Sequence, residues 1–107
     1  MTVPINSDKN FKEQFEKNKG RSIILFFTAT WCAPCHSIKP FVEGEAEKNK
    51  DRLVVMRIDV DFCDETVEKY GITAMPTFVL LINGIVKYSF NGVDKGKFSN
   101  MIEKALE

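Results

Sequence analysis

The sequence predicts an α/β fold, with a central mixed β-sheet and helices packed on both of its faces. Three observations lead there. Apolar, β-rich runs alternate with amphipathic helical stretches, and an Asn83-Gly84 pair joins two strand-like runs near the C-terminus. The 107 residues also carry no internal repeat, low-complexity segment or Gly/Ser-rich linker. That length suits one domain, residues 1–107, and buries a core without disulfide staples.

Each element has its own warrant. Val3 to Ile5 is expected to add a short edge strand in front. Phe11 and Phe15 lie at helical spacing, with Ser7 or Asp8 available as N-cap and Gly20 as a stop. Ser22 to Thr28 holds an apolar run that does not alternate, which predicts a strand buried on both faces. Beyond Cys35, the residues Ile38, Phe41, Val42 and Ala46 form a helical stripe, which Pro40 should kink. Leu53 to Ile58 is a second β-rich run, and Cys63 to Tyr70 makes a short helix closed by Gly71. Thr77 to Ile82 and Ile85 to Phe90 flank Asn83-Gly84, the pair that favours a two-residue hairpin turn. Phe98, Met101, Ile102, Ala105 and Leu106 mark one face of a last helix, with Asp94 as N-cap.

Composition excludes several functions. Fifteen basic side chains balance fifteen acidic ones, and no charge run breaks that balance. Nucleic acids and anionic membranes need clustered Lys and Arg, so neither is an expected partner. The apolar runs Ile23 to Phe27 and Phe78 to Ile82 are far too short to span a bilayer. The N-terminus lacks the basic-then-apolar layout of a secretory signal, so the expected compartment is the cytosol.

Cys32, Cys35 and Cys63 are too few, and odd in number, for a structural disulfide framework. Two of them stand three residues apart, where a buried strand turns into a helix. In a helical first turn that spacing puts both on one face, within reach of disulfide geometry. Cys32 sits at the helix N-terminus, where unpaired amides and the dipole favour a negative charge. Its thiol pKa should therefore fall, and the thiolate is the nucleophile. Cys35, one turn in and shielded, can attack the mixed disulfide that Cys32 forms. Pro34 suits a first turn, where its missing amide costs nothing.

Trp31-Cys32-Ala33-Pro34-Cys35 resembles the active site of the thioredoxin family, whose usual form has Gly where this chain has Ala33. Met75-Pro76-Thr77 before a strand is similar to that family's cis-proline segment, and Asn83-Gly84 to its hairpin turn. Asp59-Val60-Asp61, Tyr70-Gly71-Ile72 and Gly92 fall at family-like spacings, so the likeness spans essentially the whole chain. The resemblance implies a thioredoxin fold, with Cys32 as nucleophile and Cys35 as resolving thiol. It implies substrate contacts from Trp31, Ala33, Pro34, Thr73, Ala74, Met75, Pro76 and Gly92, with backbone beside a cis Pro76 adding to an extended client. It further implies protein disulfide substrates and recharging by an NADPH-dependent thioredoxin reductase. It implies no cofactor or metal held by the chain itself, and a monomer. The competing function is a thioredoxin-like binding or chaperone module whose thiols are secondary.

Two positions depart from the family. Phe26 stands where most members carry a buried Asp that helps deprotonate the resolving cysteine, so Arg57, at the place of its usual basic neighbour, needs another partner. Thr28 replaces an additional Trp, leaving Trp31 as the single tryptophan. Among the remaining candidates, Phe26 reads as core and His36 as a solvated helix residue. Cys63 reads as an inert, partly buried thiol or, alternatively, an exposed regulatory cysteine. A zinc knuckle lacks a second ligand pair. Cys32 to His36 also matches a c-type haem attachment signature, but the β-rich core speaks against a haem crevice.

Overall fold

The apolar runs that do not alternate become the middle of the sheet, and the amphipathic stretches cover it. The computed structural model describes residues 1–107. It comprises β1 (Val3–Ile5), α1 (Asp8–Asn18), β2 (Ser22–Thr28), α2 (Ala33–Lys48), β3 (Leu53–Asp59), a 3-10 turn (Val60–Phe62), α3 (Asp64–Tyr70), β4 (Thr77–Ile82), β5 (Ile85–Asn91) and α4 (Lys95–Ala105). The strands form one sheet in the order β1-β3-β2-β4-β5. β3 runs parallel to β1 and β2, whereas β4 is antiparallel to both β2 and β5, so the sheet is mixed as the sequence predicts.

Central β2 is flanked on both edges, and every side chain from Ile23 to Phe27 is fully buried. Alternate residues feed two separate cores. Ile24 and Phe26 join α2 and α4 on one face, while Ile23, Leu25 and Phe27 join Phe11 of α1 and the inner side of α3 on the other. Cys32 and Cys35 belong to the first core and Cys63 to the second.

Local signals hold at most boundaries. Ser7 caps α1 by accepting the Asn10 amide, and Asp94 caps α4 by accepting that of Lys97. Gly71 ends α3 in the left-handed region at φ 65°. Asn83 and Gly84 both have positive φ, 54° and 76°, as a type I′ hairpin turn requires. The 3-10 turn was not legible in the sequence. Pro40 lies inside α2, which is one helix from Ala33 to Lys48. No helix is long and apolar enough to cross a membrane.

Candidate active site

β2 ends at Thr28, and a short loop carries the chain into α2 with Cys32 as its N-cap. Cys32 has extended backbone angles, and its sulfur accepts the Cys35 amide at 3.3 Å. One of the amides left unpaired at a helix start thus points at this sulfur. Cys32 and Cys35 form a disulfide, with Cα atoms 5.3 Å apart. Both residues are buried, Cys32 at 5% exposure and Cys35 at 1%. Ala33 and Pro34 between them are exposed.

The other residues singled out from the sequence lie in three loops, at Trp31, at Thr73 to Pro76 and at Gly92. Trp31 is 65% exposed, and its indole Nε1 donates to Asp61 Oδ2 at 2.9 Å, which fixes the ring beside the site. Asp61 is itself held by the 3-10 turn, whose N-cap Asp59 accepts the Asp61 amide. The Met75–Pro76 bond is cis and Pro76 is buried. The Gly92 amide donates to the Pro76 carbonyl at 2.9 Å, which brings these two distant segments together. Met75 packs on the core that contains both motif cysteines, while Thr73 and Ala74 are exposed. Thr73, Ala74 and Met75 line an apolar recess of about 140 Å³ with Val60, Val67 and Ile72.

Behind the motif the site is dry on one side and charged on the other. Phe26 is fully buried and stacks on Phe78, ring centroids 4.9 Å apart, so no carboxylate occupies that place. Arg57, beside Phe26 in the β2–β3 register, is partnered elsewhere. Its Nε donates to Thr2 Oγ1 at 3.1 Å and lies 3.7 Å from Glu43 Oε2 on α2. Burial pulls the Glu43 carboxyl upward. The Thr2 hydroxyl and amide, Arg57 and the N-terminal ammonium outweigh it and leave the carboxyl below its ordinary value. His36 is exposed but not merely solvated. Its Nε2 donates to the Thr30 carbonyl at 2.7 Å and so ties α2 back to the loop ahead of Trp31. No three His, Cys, Asp or Glu side chains converge to hold a metal ion.

Cys63 follows the inert reading and rules out its alternative, an exposed regulatory thiol. Its residue is fully buried, and its sulfur points at the Ile5 carbonyl, 3.8 Å away. Burial first, then the carboxylates of Asp8, Asp59 and Asp64, push the thiol from 9.0 up to about 11. The helix-start position gave no hint of this, because the lid over Cys63 comes from β1 and α1, about sixty residues earlier.

A thioredoxin family model matches residues 2–104. The chain is 37% identical to thioredoxin-1 of Drosophila yakuba over 98 residues, covering 92% of each protein. It is 31% identical to human thioredoxin over 106 residues, covering 99% of this chain and all of the human protein. The structure of reduced Schistosoma mansoni thioredoxin superimposes with a TM-score of 0.90 at 33% identity, covering 97% of each chain. Fasciola hepatica thioredoxin gives 0.89 at 33% identity, over 97% of this chain and 99% of that one.

Proposed function

The chain belongs to the thioredoxin family, and from that membership we propose that it reduces protein disulfides, with Cys32 attacking and Cys35 resolving. Thiol–disulfide oxidoreductase chemistry goes with the family and with the Cys32–Cys35 disulfide. The observation that carries the division of labour is the Cys35 amide donating to the Cys32 sulfur at a helix N-terminus. The same bond stabilises negative charge on Cys32 once the disulfide is opened.

In the reducing direction, the Cys32 thiolate attacks one sulfur of a client disulfide and expels the other as a thiolate. A mixed disulfide joins Cys32 to the client. Cys35, deprotonated, then attacks the Cys32 sulfur, so the bond to the client breaks and the second client thiol leaves. Two electrons have passed to the client, and the chain is left with its Cys32–Cys35 disulfide. An NADPH-dependent thioredoxin reductase returns two electrons and restores the dithiol. A reducing compartment, the cytosol, suits a site that must be kept reduced. Every group invoked lies in one chain, which suits a monomer.

Client contact falls to Trp31, Ala33 and Pro34 on one side, and to Thr73, Ala74, Met75, Pro76 and Gly92 on the other. Thr73 and Ala74 are exposed, which supports pairing of an extended client with backbone next to Pro76. The test is insulin reduction driven by NADPH and thioredoxin reductase, with trapping in parallel. Cys35→Ser should accumulate covalent client adducts and Cys32→Ser none. Adducts in Cys32→Ser alone would reverse the roles. Absence of turnover, with client binding retained in the double Cys32/Cys35→Ser variant, would leave a binding module instead.

A further inference from the structure

Three basic side chains, two of them permanently charged, that the thiol chemistry does not use line one small pocket. His36 and Lys39 stand one turn apart on α2, and Arg57 reaches in from β3. The pocket lies at the carboxyl ends of the parallel strands, with Asn6 just after β1, Thr28 and Thr30 at the end of β2, and Asp59 closing β3. Thr28 and Asp59 are register partners there. The chain leaves β2 into α2 on one face of the sheet, and leaves β3 toward α3 on the other. Neighbouring parallel strands whose connections diverge in this way open a crevice at their carboxyl ends, the usual ligand position in open α/β sheets.

The polar groups in the crevice are not spent on one another. Arg57 uses Nε on Thr2 and Glu43, and no acceptor engages its two terminal nitrogens. Lys39 is in no ion pair. His36 commits only Nε2, to the Thr30 carbonyl. Asp59 accepts the Asp61 amide through Oδ1 and pairs with neither Lys39 nor Arg57. Lys39 and Arg57 therefore bring two permanent positive charges to the crevice, where Asp59 is the one lining carboxylate and Glu43 takes only the Nε side of Arg57. The volume is about 90 Å³. That is room for a few waters, which suits one tetrahedral oxyanion and is too small for a nucleotide.

We propose that this crevice binds a small tetrahedral oxyanion of the phosphate class, held by Lys39 and the free face of the Arg57 guanidinium. Arg presents a planar fork to such oxygens, and Lys adds a point charge. The experiment titrates inorganic phosphate into isotope-labelled oxidised protein at constant ionic strength, with chloride as control, and follows amide shifts. Saturable shifts confined to Asn6, Thr28 to Thr30, His36 and Asp59 are expected, with phosphate only. Lys39→Gln, a partly exposed helix position, should keep the fold and bind phosphate about tenfold more weakly, the loss of one charge-assisted bond. O-phosphoserine is the second arm. Tighter binding than phosphate assigns the group to an ester, and weaker binding assigns it to the free ion. Shifts that chloride reproduces, or wild-type phosphate affinity in Lys39→Gln, would overturn the site.

Discussion

Cys32 and Cys63 both stand at the N-cap of a helix, α2 and α3 respectively. Unpaired amides and the helix dipole act at each, so position alone would favour a thiolate at both. The surroundings divide them. Cys32 aims its sulfur at the Cys35 amide, and the first turn of α2 holds no acidic residue. Cys63 makes no cap bond, points away at the Ile5 carbonyl, and shares its helix start with Asp64 and Glu65. The capping of α3 is done from outside, by Asp8 of α1. Its carboxylate accepts the Thr66 amide at 2.9 Å, the Thr66 hydroxyl at 2.7 Å and the Glu65 amide at 3.2 Å. A helix N-terminus therefore favours a thiolate only where the sulfur itself takes an amide, away from carboxylates.

The largest effect tests that contrast directly. Cys32→Ser should drop disulfide reduction to background, because no other group can form the mixed disulfide. Cys63→Ser should leave the rate unchanged. Reduced protein challenged with iodoacetamide near pH 7 should be alkylated at Cys32 well before Cys63, as peptide mass spectrometry would read. Comparable labelling of Cys63 would mean that α3 opens readily and that burial does not silence this thiol.

The second test carries a carboxylate to the quiet side of the motif. Phe26→Asp removes a ring stacked on Phe78 and puts a carboxyl into a site with no exposure. Losing a buried Phe and burying an acid should cost at least about 3 kcal/mol of stability, read by denaturant melts. A carboxylate there should also raise the Cys32 pKa by like-charge repulsion, as carboxylates do at Cys63, and so destabilise the reduced form. The reduction potential should therefore fall, while an acid near Cys35 should speed resolution. An unchanged or higher potential by glutathione equilibration would show that dryness, not charge, sets the poise.

Asp8→Ala should cost about 1–2 kcal/mol, the range for losing an N-cap, although this cap comes from another helix. Burial tends to raise the Asp8 carboxyl, but the Thr66 hydroxyl and amide, the Glu65 amide and Lys12 hold it below 3.8. Its stabilisation is thus fully present above about pH 4 and is lost as pH falls through the lower folded value. Wild type and Asp8→Ala should converge in acid. A gap that persists there would deny the carboxylate its part.

Asp8 also marks where sequence reasoning stopped. The strands, the caps at Ser7 and Asp94, the hairpin at Asn83-Gly84 and the Cys32–Cys35 geometry are set by neighbours within a few residues, and all were legible. The bonds from Asp8 to Thr66, Arg57 to Thr2 and Trp31 to Asp61 span 58, 55 and 30 residues. They depend on strand order, which no local pattern reports. His36 spans only six residues to Thr30, yet it was missed because nothing in composition aims an imidazole at a particular carbonyl. Cys63 is more deeply buried than its reading as a partly buried thiol for the same reason as Asp8: its lid is built by the N-terminal elements.

The smallest effect is the pH dependence that Cys63 imposes. The folded chain holds this thiol at about 11 against an ordinary 9.0. Between those values the unfolded chain has released the proton and the native one has kept it. The unfolded state therefore binds fewer protons, and stability falls as pH rises. The loss by pH 10 should be about 1 kcal/mol, one decade of differential ionisation. Tyr70, also raised by burial, acts in the same direction, as do groups elsewhere, so total stability cannot isolate the thiol. The difference between wild type and Cys63→Ala can, because every other group titrates in both. Measured on the oxidised proteins, where Cys32 and Cys35 do not titrate, wild type should lose its advantage over Cys63→Ala between pH 8 and 10. A constant difference across that range would mean that Cys63 ionises as freely folded as unfolded. The contrast between the two helix starts would then rest on the direction of the sulfur alone.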